Sequence, residues 1–130
     1  MNKQDEIWKR LSKHLKKDQK EFVLKTFSEC FDYSPHIVWD KVIADLVNIM
    51  HQRERFFDKN TKVAQVKTKF GGLRFYIHGD DDYLRGAIKM AEIQCSRICP
   101  YCGSIGEEKV PTGRYVKRCV KCDEGSFQMT

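Results

Sequence analysis

The first sixty residues carry apolar side chains at helical spacing, which predicts three helices. The first helix is predicted over residues 3–16, and its apolar stripe consists of Ile7, Trp8, Leu11 and Leu15. Lysines lie on the opposite side of this segment and continue beyond it, at Lys9, Lys13, Lys16 and Lys20. A row of lysines opposite an apolar stripe is typical of a solvated helix face, so we prefer that interpretation to phosphate contact.

Capping signals mark the starts of the next two predicted helices. Asp18 and Glu21 have capping-box spacing, with aspartate as the cap, and Ser34 precedes a proline that suits the first helical position. The second helix places on one face Val23, Phe27, Cys30 and Phe31. The third carries Trp39, Val42, Ile43, Leu46 and Met50. We expect the three apolar stripes to form the core of the protein.

Between residues 62 and 77 the apolar period changes from helical spacing to two, which predicts a β-hairpin. Gly71 and Gly72 separate the runs VAQVKTKF and LRFYI, and they are expected to form a two-residue turn. The predicted register pairs Phe70 with Leu73, Thr68 with Phe75 and Val66 with Ile77. One face of the hairpin is then apolar throughout.

The opposite face of the predicted hairpin is polar and basic. It presents Gln65, Lys67, Lys69, Arg74, Tyr76 and His78, with Lys69 directly across from Arg74. Like charges that face each other across two strands are destabilising, so something is expected to offset them. One interpretation is an anion-binding surface, in which the cations contact phosphates and Tyr76 stacks on a base. The other is internal neutralisation by the acidic run at 80–82 or by Glu92.

Three consecutive aspartates, Asp80, Asp81 and Asp82, precede a fourth predicted helix with the sequence YLRGAIKMAEIQCSRI. The expected apolar face of this helix consists of Tyr83, Ala87, Met90, Ala91, Gln94 and Cys95. Carboxylates are favoured at a helix start because the first N–H groups are unpaired and the helix dipole is positive there. We therefore predict that the aspartates cap the helix rather than bind Mg²⁺.

Two Cys-x-x-Cys pairs follow the fourth helix, at CPYCG and, sixteen residues later, at CVKC. Four thiolates suit tetrahedral zinc, and each short turn directs two sulfurs to the same point. The predicted ligands of one structural Zn²⁺ are Cys99, Cys102, Cys119 and Cys122. Because sulfur fills all four positions, this zinc has no open site at which to activate water. A redox dithiol is disfavoured, since it requires one such motif near a βαβ unit.

The loop between the two cysteine pairs is basic. Its predicted contacts to a nucleic acid or another partner are Arg114, Lys117 and Arg118, although two glutamates lie in the same loop. Cys95 lies four residues before the first zinc ligand but on the predicted apolar face of the fourth helix. We therefore expect Cys95, like Cys30, to be a core residue.

Composition and charge narrow the class of protein. Apolar residues make up 41% of the 130 residues, and no apolar run reaches the length of a membrane helix or a signal peptide. The formal net charge is +6, with the basic excess in residues 1–20 and 61–78. Because the cysteines have metal-binding rather than disulfide spacing, these features predict a soluble cytoplasmic protein with no membrane partner.

The sequence contains none of the common catalytic motifs. Its four histidines are scattered, and no HExxH, GxSxG, phosphate-binding glycine loop or dinucleotide fingerprint occurs. A small nuclease built from His78 with Asp80 or Asp81 is conceivable, but a histidine between a strand and an acidic helix start is usually structural. The sequence therefore favours a non-enzymatic protein.

The order of these features resembles a group of small uncharacterised phage and prophage proteins. The shared elements are the string QVKTKFGGLRFY, a short acidic linker, a helix containing RGAIKMAE, CPYCG and a second Cys-x-x-Cys. The resemblance covers about residues 63–122 and leaves the N-terminal helices outside. It implies a phage-type origin, and hence the host cytoplasm, and assigns no catalytic or binding residue. By analogy, small phage proteins of this kind often occupy a host or defence complex.

Together these features predict an α+β protein with N-terminal helices, a β-hairpin, a further helix and a C-terminal zinc ribbon. The expected units are a core over residues 1–98, the ribbon over 99–122 packed on it, and a tail over 123–130. One candidate function is the binding of nucleic acid or a nucleoprotein complex through the hairpin and the ribbon. The other is a phage inhibitor or adaptor, for example anti-CRISPR-like, that binds a host protein through an exposed patch. Phe56 and Phe57, at the end of the third predicted helix, are candidates for this patch, and the alternative is that they belong to the core. The oligomeric state stays open.

Overall fold

The structure, a computed structural model, describes residues 2–98 of the chain. Four α-helices and a three-stranded mixed sheet in this part confirm the predicted α+β class. The elements in chain order are α1 (Lys3–Leu11), α2 (Lys20–Thr26), β1 (Asp32–Ser34), α3 (Asp40–Phe57), β2 (Lys62–Lys69), β3 (Gly72–His78) and α4 (Asp82–Cys95). The predicted zinc ribbon and the tail after it lie outside the described residues.

The helices cover one face of the sheet and share a single hydrophobic core with it. The stripes predicted for the first three helices supply most of the helical side chains, among them Ile7, Leu11, Val23, Phe27, Trp39, Ile43, Leu46 and Met50. The sheet contributes Val63, Val66, Leu73 and Phe75. Phe31 was wrongly placed in this core and is 63% exposed. Because α2 ends at Thr26, helical spacing no longer determines where the side chain of Phe31 points.

The first two helices begin and end differently from the prediction. α1 ends at Leu11 rather than at residue 16, and the Ser12 hydroxyl donates to the Lys9 carbonyl at 3.1 Å, a local bond that competes with helix continuation. A short 3₁₀ turn, Lys17–Gln19, then precedes α2. The backbone N–H of Lys16 donates to the side chain of Gln19 at 3.0 Å. Gln19 therefore caps the 3₁₀ turn, and α2 has no side-chain cap at its own start, so the predicted cap by Asp18 and Glu21 does not form.

The segment before α3 contains a strand that the hydrophobic pattern does not indicate. Ser34 was predicted as a helix cap, but it ends β1, a three-residue strand that pairs in parallel with β2. A 3₁₀ turn, Ile37–Trp39, separates β1 from α3, so the helix begins at Asp40. A strand this short shows no alternation of its own, and its pairing with a distant strand is a tertiary effect.

The hairpin has the predicted two-residue turn, but one position earlier in the chain. Phe70 and Gly71 have positive φ values of 53° and 74°, as a type I′ turn requires, and Lys69 pairs with Gly72. The ladder therefore pairs Lys67 with Arg74, and the predicted pairing of Lys69 with Arg74 is wrong. A register irregularity between Val63 and Gln65 forms a bulge near the start of β2.

The fourth helix forms as predicted, but it buries a different face. Its core side chains are Leu84, Ile88, Ala91 and Cys95, whereas Tyr83 and Met90 are 64% and 58% exposed. The helix has apolar residues on two adjoining faces, so the spacing alone did not identify which one faces the sheet. None of the helices within residues 2–98 is long and apolar enough to cross a membrane.

Candidate nucleic-acid interface

The sheet face turned away from the core carries the cations of the hairpin. Its side chains alternate along β2 and β3 with the buried Val66, Leu73 and Phe75. Two residues of β1 lie beside them because β1 pairs with β2. We define the outer sheet face as Asp32, Ser34, Gln65, Lys67, Lys69, Arg74, Tyr76 and His78. The predicted separation of apolar and basic faces is therefore correct, although the register is not.

Two of these cations are direct neighbours across the ladder. Lys67 and Arg74 are Cα partners, and both side chains are half-buried. Lys69 lies one pair closer to the turn and is exposed. Like charges at opposed positions are destabilising by an amount comparable to the roughly 0.2–1 kcal/mol of a favourable pair. The hairpin thus concentrates three positive charges at a cost to its own stability.

Two of the carboxylates proposed as internal partners, Asp81 and Glu92, are engaged elsewhere. Asp81 accepts two hydrogen bonds from Arg53, at 3.1 and 3.0 Å, and Glu92 accepts one from the backbone N–H of Phe75 at 3.2 Å. Asp32, on the outer sheet face itself, accepts from the Gln65 amide at 3.1 Å. Within residues 2–98, no salt bridge reaches the cations of the outer sheet face. Internal neutralisation by these acids is therefore not what the structure shows.

The Arg74 guanidinium is held close to the hairpin backbone. Its Nη1 donates to the Leu73 carbonyl at 2.9 Å. A Cβ at position 72 would lie 3.3 Å from the same nitrogen, so Gly72 leaves room for the guanidinium to pass over the strand. Glycine at position 72 therefore serves close packing rather than the turn.

An aromatic ring adjoins the cations on the same face. Tyr76 follows Arg74 by two residues, pairs with Gln65 and is 42% exposed. A partly exposed tyrosine next to several cations is the combination that proteins use to stack bases while contacting phosphates. The predicted hairpin residues of the interface, Lys67, Lys69, Arg74 and Tyr76, are thus brought together on one surface.

No protein family, curated protein or solved structure significantly matches this chain. The phage resemblance therefore stays a prediction, and the function has to be inferred from the chemistry of the described surface.

The predicted zinc ligands lie outside the described residues, and so do the ribbon cations Arg114, Lys117 and Arg118. Within residues 2–98, no group of three or more His, Cys, Asp or Glu side chains is arranged to hold a metal ion. The four cysteines at 99, 102, 119 and 122 are a donor set that fits Zn²⁺ on chemical grounds. The zinc site therefore remains a sequence-based prediction.

The two remaining cysteines are core residues, as predicted. Cys95 is fully buried, and burial together with the nearby Glu92 raises the pKa of its thiol to about 12. Cys30 is also buried and donates to the Asp32 carbonyl at 3.3 Å, and burial likewise raises its pKa. Both thiols are protonated at neutral pH, whereas a zinc ligand is a thiolate.

Asp81 caps α4, which confirms the predicted role of the acidic run. Its carboxylate accepts from the Leu84 backbone N–H at 3.2 Å, and the residue is 2% exposed. Hydrogen bonding to Arg53 lowers the pKa of Asp81, and the bond from Leu84 acts in the same direction. Asp81 is therefore committed to the fold and unavailable as a catalytic partner of His78.

An exposed aromatic patch lies where α3 ends and α4 begins. We define it as Phe56, Phe57 and Tyr83, which are 68%, 61% and 64% exposed. The Arg53 guanidinium lies 4.7 Å from the ring centroid of Phe57 and 4.5 Å from that of Tyr83. The sequence pattern indicated the two phenylalanines as a candidate patch but not Tyr83 or Arg53. The residues of the patch come from two helices, so the spacing of residues within either helix could not predict that they lie close together.

Proposed function

We propose that this protein is a non-enzymatic, phage-type nucleic-acid-binding protein that contacts phosphates through the outer sheet face. The observation that carries the proposal is the cluster of Lys67, Lys69 and Arg74, which has no carboxylate partner within residues 2–98. A phosphate chain would relieve the repulsion among these charges. The same contact would release the counterions condensed on the nucleic acid, which favours binding.

The predicted zinc ribbon completes this proposal. One structural Zn²⁺ held by Cys99, Cys102, Cys119 and Cys122 would order a short segment that is rich in cations. Arg114, Lys117 and Arg118 would then extend the basic surface beyond the hairpin. Thiolate ligands of this kind persist in a reducing compartment, which supports the host cytoplasm as the site of action.

The test is fluorescence anisotropy of labelled DNA and RNA oligonucleotides with the zinc-loaded full chain, over a series of salt concentrations. For three phosphate contacts the logarithm of affinity should fall against the logarithm of salt with a slope of about −2 to −3. The triple variant Lys67→Gln/Lys69→Gln/Arg74→Gln should lose most of the affinity and of this slope.

A matched control removes the same number of charges elsewhere. Lys9, Lys13 and Lys20 are exposed and lie outside the sheet, so Lys9→Gln/Lys13→Gln/Lys20→Gln keeps the net charge equal to that of the hairpin variant. This control should bind nearly as well as the natural protein. Equal losses in both variants would mean that net charge, rather than the outer sheet face, drives binding. No binding at low salt would reject the proposal.

A second candidate function is that of a phage inhibitor or adaptor that binds a host or defence complex through the aromatic patch. Exposed aromatic residues beside an arginine are the side chains most often found at binding hot spots. The variant Phe56→Ser/Phe57→Ser separates the two functions. If the protein acts this way, a host protein captured by the natural chain and by the hairpin triple variant should be lost from Phe56→Ser/Phe57→Ser.

A further inference from the structure

An open cleft of about 260 Å³ lies between β3 and α4. This β3–α4 cleft is lined by residues 75–77 of β3 and, from α4, by Arg85, Ile88, Lys89 and Glu92. Its volume is below the roughly 300–1,000 Å³ of pockets that hold drug-sized ligands. The cleft therefore suits one small ring system rather than a larger molecule.

The chemistry of the cleft is that of a flat apolar group attached to a phosphate. Ile77 and Ile88 are apolar and largely buried, and Tyr76, which is 42% exposed, lies at the rim of the cleft. Arg85 and Lys89 are exposed cations that project from α4. The remaining charged group, Glu92, is bonded to the backbone N–H of Phe75 at 3.2 Å.

The edge of β3 that faces away from β2, together with Gly79 after it, is partly occupied by side chains. Side chains already bond three backbone groups along it, so an added peptide would find these positions occupied. The bonds are Arg74 to the Leu73 carbonyl (2.9 Å), Phe75 N–H to Glu92 (3.2 Å) and Arg85 to the Gly79 carbonyl (3.0 Å). Strand addition by a protein partner is therefore disfavoured at this cleft, whereas a planar ligand needs none of these backbone groups.

Tyr76 belongs both to the cleft and to the outer sheet face, two residues from Arg74. A phosphate chain bound by Lys67, Lys69 and Arg74 would therefore bring its next base to Tyr76. In a duplex that base is paired and stacked inside the helix, whereas in a single strand it is free to leave the backbone. Arg85 and Lys89 would contact the following phosphate.

We infer that Tyr76, at the rim of the β3–α4 cleft, stacks on an unpaired nucleobase, and that the ligand is a single-stranded nucleic acid. This inference rests on the proposed function, since the outer sheet face supplies the phosphate contacts. Single-stranded DNA and RNA share the chemistry that the cleft recognises.

The experiment compares labelled oligothymidine, oligouridine and a DNA duplex of the same length by anisotropy at one low salt concentration. The natural protein should bind at least one single strand about tenfold more tightly than the duplex. Tyr76→Ala should weaken single-strand binding by about ten- to a hundredfold, in line with the loss of one stacked base, and leave duplex binding within about twofold. Tyr76→Phe keeps the ring and should restore the affinity.

Phe31→Ala is the matched control, because Phe31 is an exposed aromatic residue outside the cleft, the outer sheet face and the aromatic patch. It should leave the preference for single strands unchanged, and thermal unfolding of each variant checks that the fold is intact. If binding depends on Lys67, Lys69 and Arg74 but Tyr76→Ala has no effect, this inference fails and the proposed function stands. If no oligonucleotide binds, both fail. A difference between oligothymidine and oligouridine would identify which of the two single strands the cleft accepts.

Discussion

Lys67 lies directly opposite Arg74 across the β2–β3 ladder, and the structure pairs neither side chain with a carboxylate within residues 2–98. Opposite charges are favoured at directly opposed positions of a β-hairpin, because like charges there destabilise the ladder. A protein keeps an unfavourable pair of this kind where function requires the charges. The pair therefore connects the stability of the hairpin with its proposed binding of phosphates.

Lys67→Glu should stabilise the protein while weakening its binding to nucleic acid. The substitution replaces a repulsive cross-strand pair by an attractive one, which should raise the free energy of unfolding by about 0.2–1 kcal/mol. Urea denaturation measures this change, and anisotropy measures the loss of affinity. Lys13→Glu is the control, because it changes the net charge by the same amount at an exposed site outside the sheet. Comparison with this variant separates the effect of the cross-strand pair from the effect of a lower net charge. A less stable Lys67→Glu variant would contradict the opposed geometry.

The composition of the two hairpin faces could be predicted from the sequence, but the register could not. Sliding the ladder by two positions keeps every side chain on its own face, so the alternation of apolar and polar residues fits both registers equally. The two registers differ in the residues that form the turn. Because glycine adopts positive φ more readily than phenylalanine, the sequence favoured a turn at Gly71 and Gly72. The structure instead places Phe70 in the left-handed region and keeps Gly72 in the strand, under Arg74.

Substitution of the two glycines one at a time tests this register. Gly71 has a φ of 74°, which costs a residue with a Cβ about 1–2 kcal/mol, so Gly71→Ala should be destabilising by that amount. A Cβ at Gly72 would meet only the flexible end of Arg74, at 3.3 Å, so Gly72→Ala should cost clearly less. Thermal unfolding compares the two variants. Equal destabilisation would instead favour the turn formed by both glycines.

The helical core could be predicted because a long apolar stripe identifies which face of a helix is buried. The burial of Trp39, Ile43, Leu46 and Met50 is an example. Features that depend on pairing with segments far away in the sequence could not be predicted. β1 exists because it pairs with β2, and the buried face of α4 is chosen by the sheet that it covers. The same holds for the candidate interface. The alternation of residues along the hairpin was enough to place its cations on one face, whereas the β3–α4 cleft exists only because two separate elements pack together, which the sequence pattern does not show.

Asp81 combines a helix cap with an ion pair, and two variants separate these roles. Asp81→Asn keeps an oxygen for the Leu84 N–H but removes the charge that faces Arg53, whereas Asp81→Ala removes both. Both variants should be less stable than the natural protein. The alanine variant should be the less stable of the two by about 0.5–2 kcal/mol, the contribution of a cap. Chemical denaturation measures the order, and equal stability would show that the cap contributes nothing.

Acid should remove the stabilisation that Asp81 gives. Hydrogen bonding to Arg53 holds the pKa of Asp81 below its ordinary value, so the folded state favours the ionised carboxylate. The contribution is therefore complete above about pH 4, the pKa of an unfolded aspartate, and is lost as the pH falls through the lower pKa of the folded state. Unfolding measured over this range should show a smaller acid dependence for Asp81→Asn than for the natural protein.

The Cys95 thiol should be unreactive in the folded protein. Alkylation requires the thiolate, and burial raises the pKa of this thiol to about 12, so almost none is ionised at about pH 8. Iodoacetamide treatment followed by peptide mass analysis should find Cys95 unmodified in the native protein and modified after denaturation. Because the folded pKa is raised, the protonated thiol favours folding at neutral pH, and this contribution is lost as the pH rises towards 12. Rapid alkylation of Cys95 in the native state would contradict its burial in α4.

The predicted zinc site is tested by exchanging one sulfur for oxygen. Elemental analysis of the natural protein should give one zinc per chain, and Cys102→Ser should lose it, since a serine hydroxyl replaces a thiolate at one of four ligand positions. Zinc-peptide binding contributes an apparent ~10–16 kcal/mol, so the segment around the site should also become sensitive to proteases. Cys30→Ser is the matched control, because a hydroxyl can still donate to the Asp32 carbonyl in place of the buried thiol. Zinc retained by Cys102→Ser, or lost from Cys30→Ser alone, would show that the four cysteines are not the ligand set.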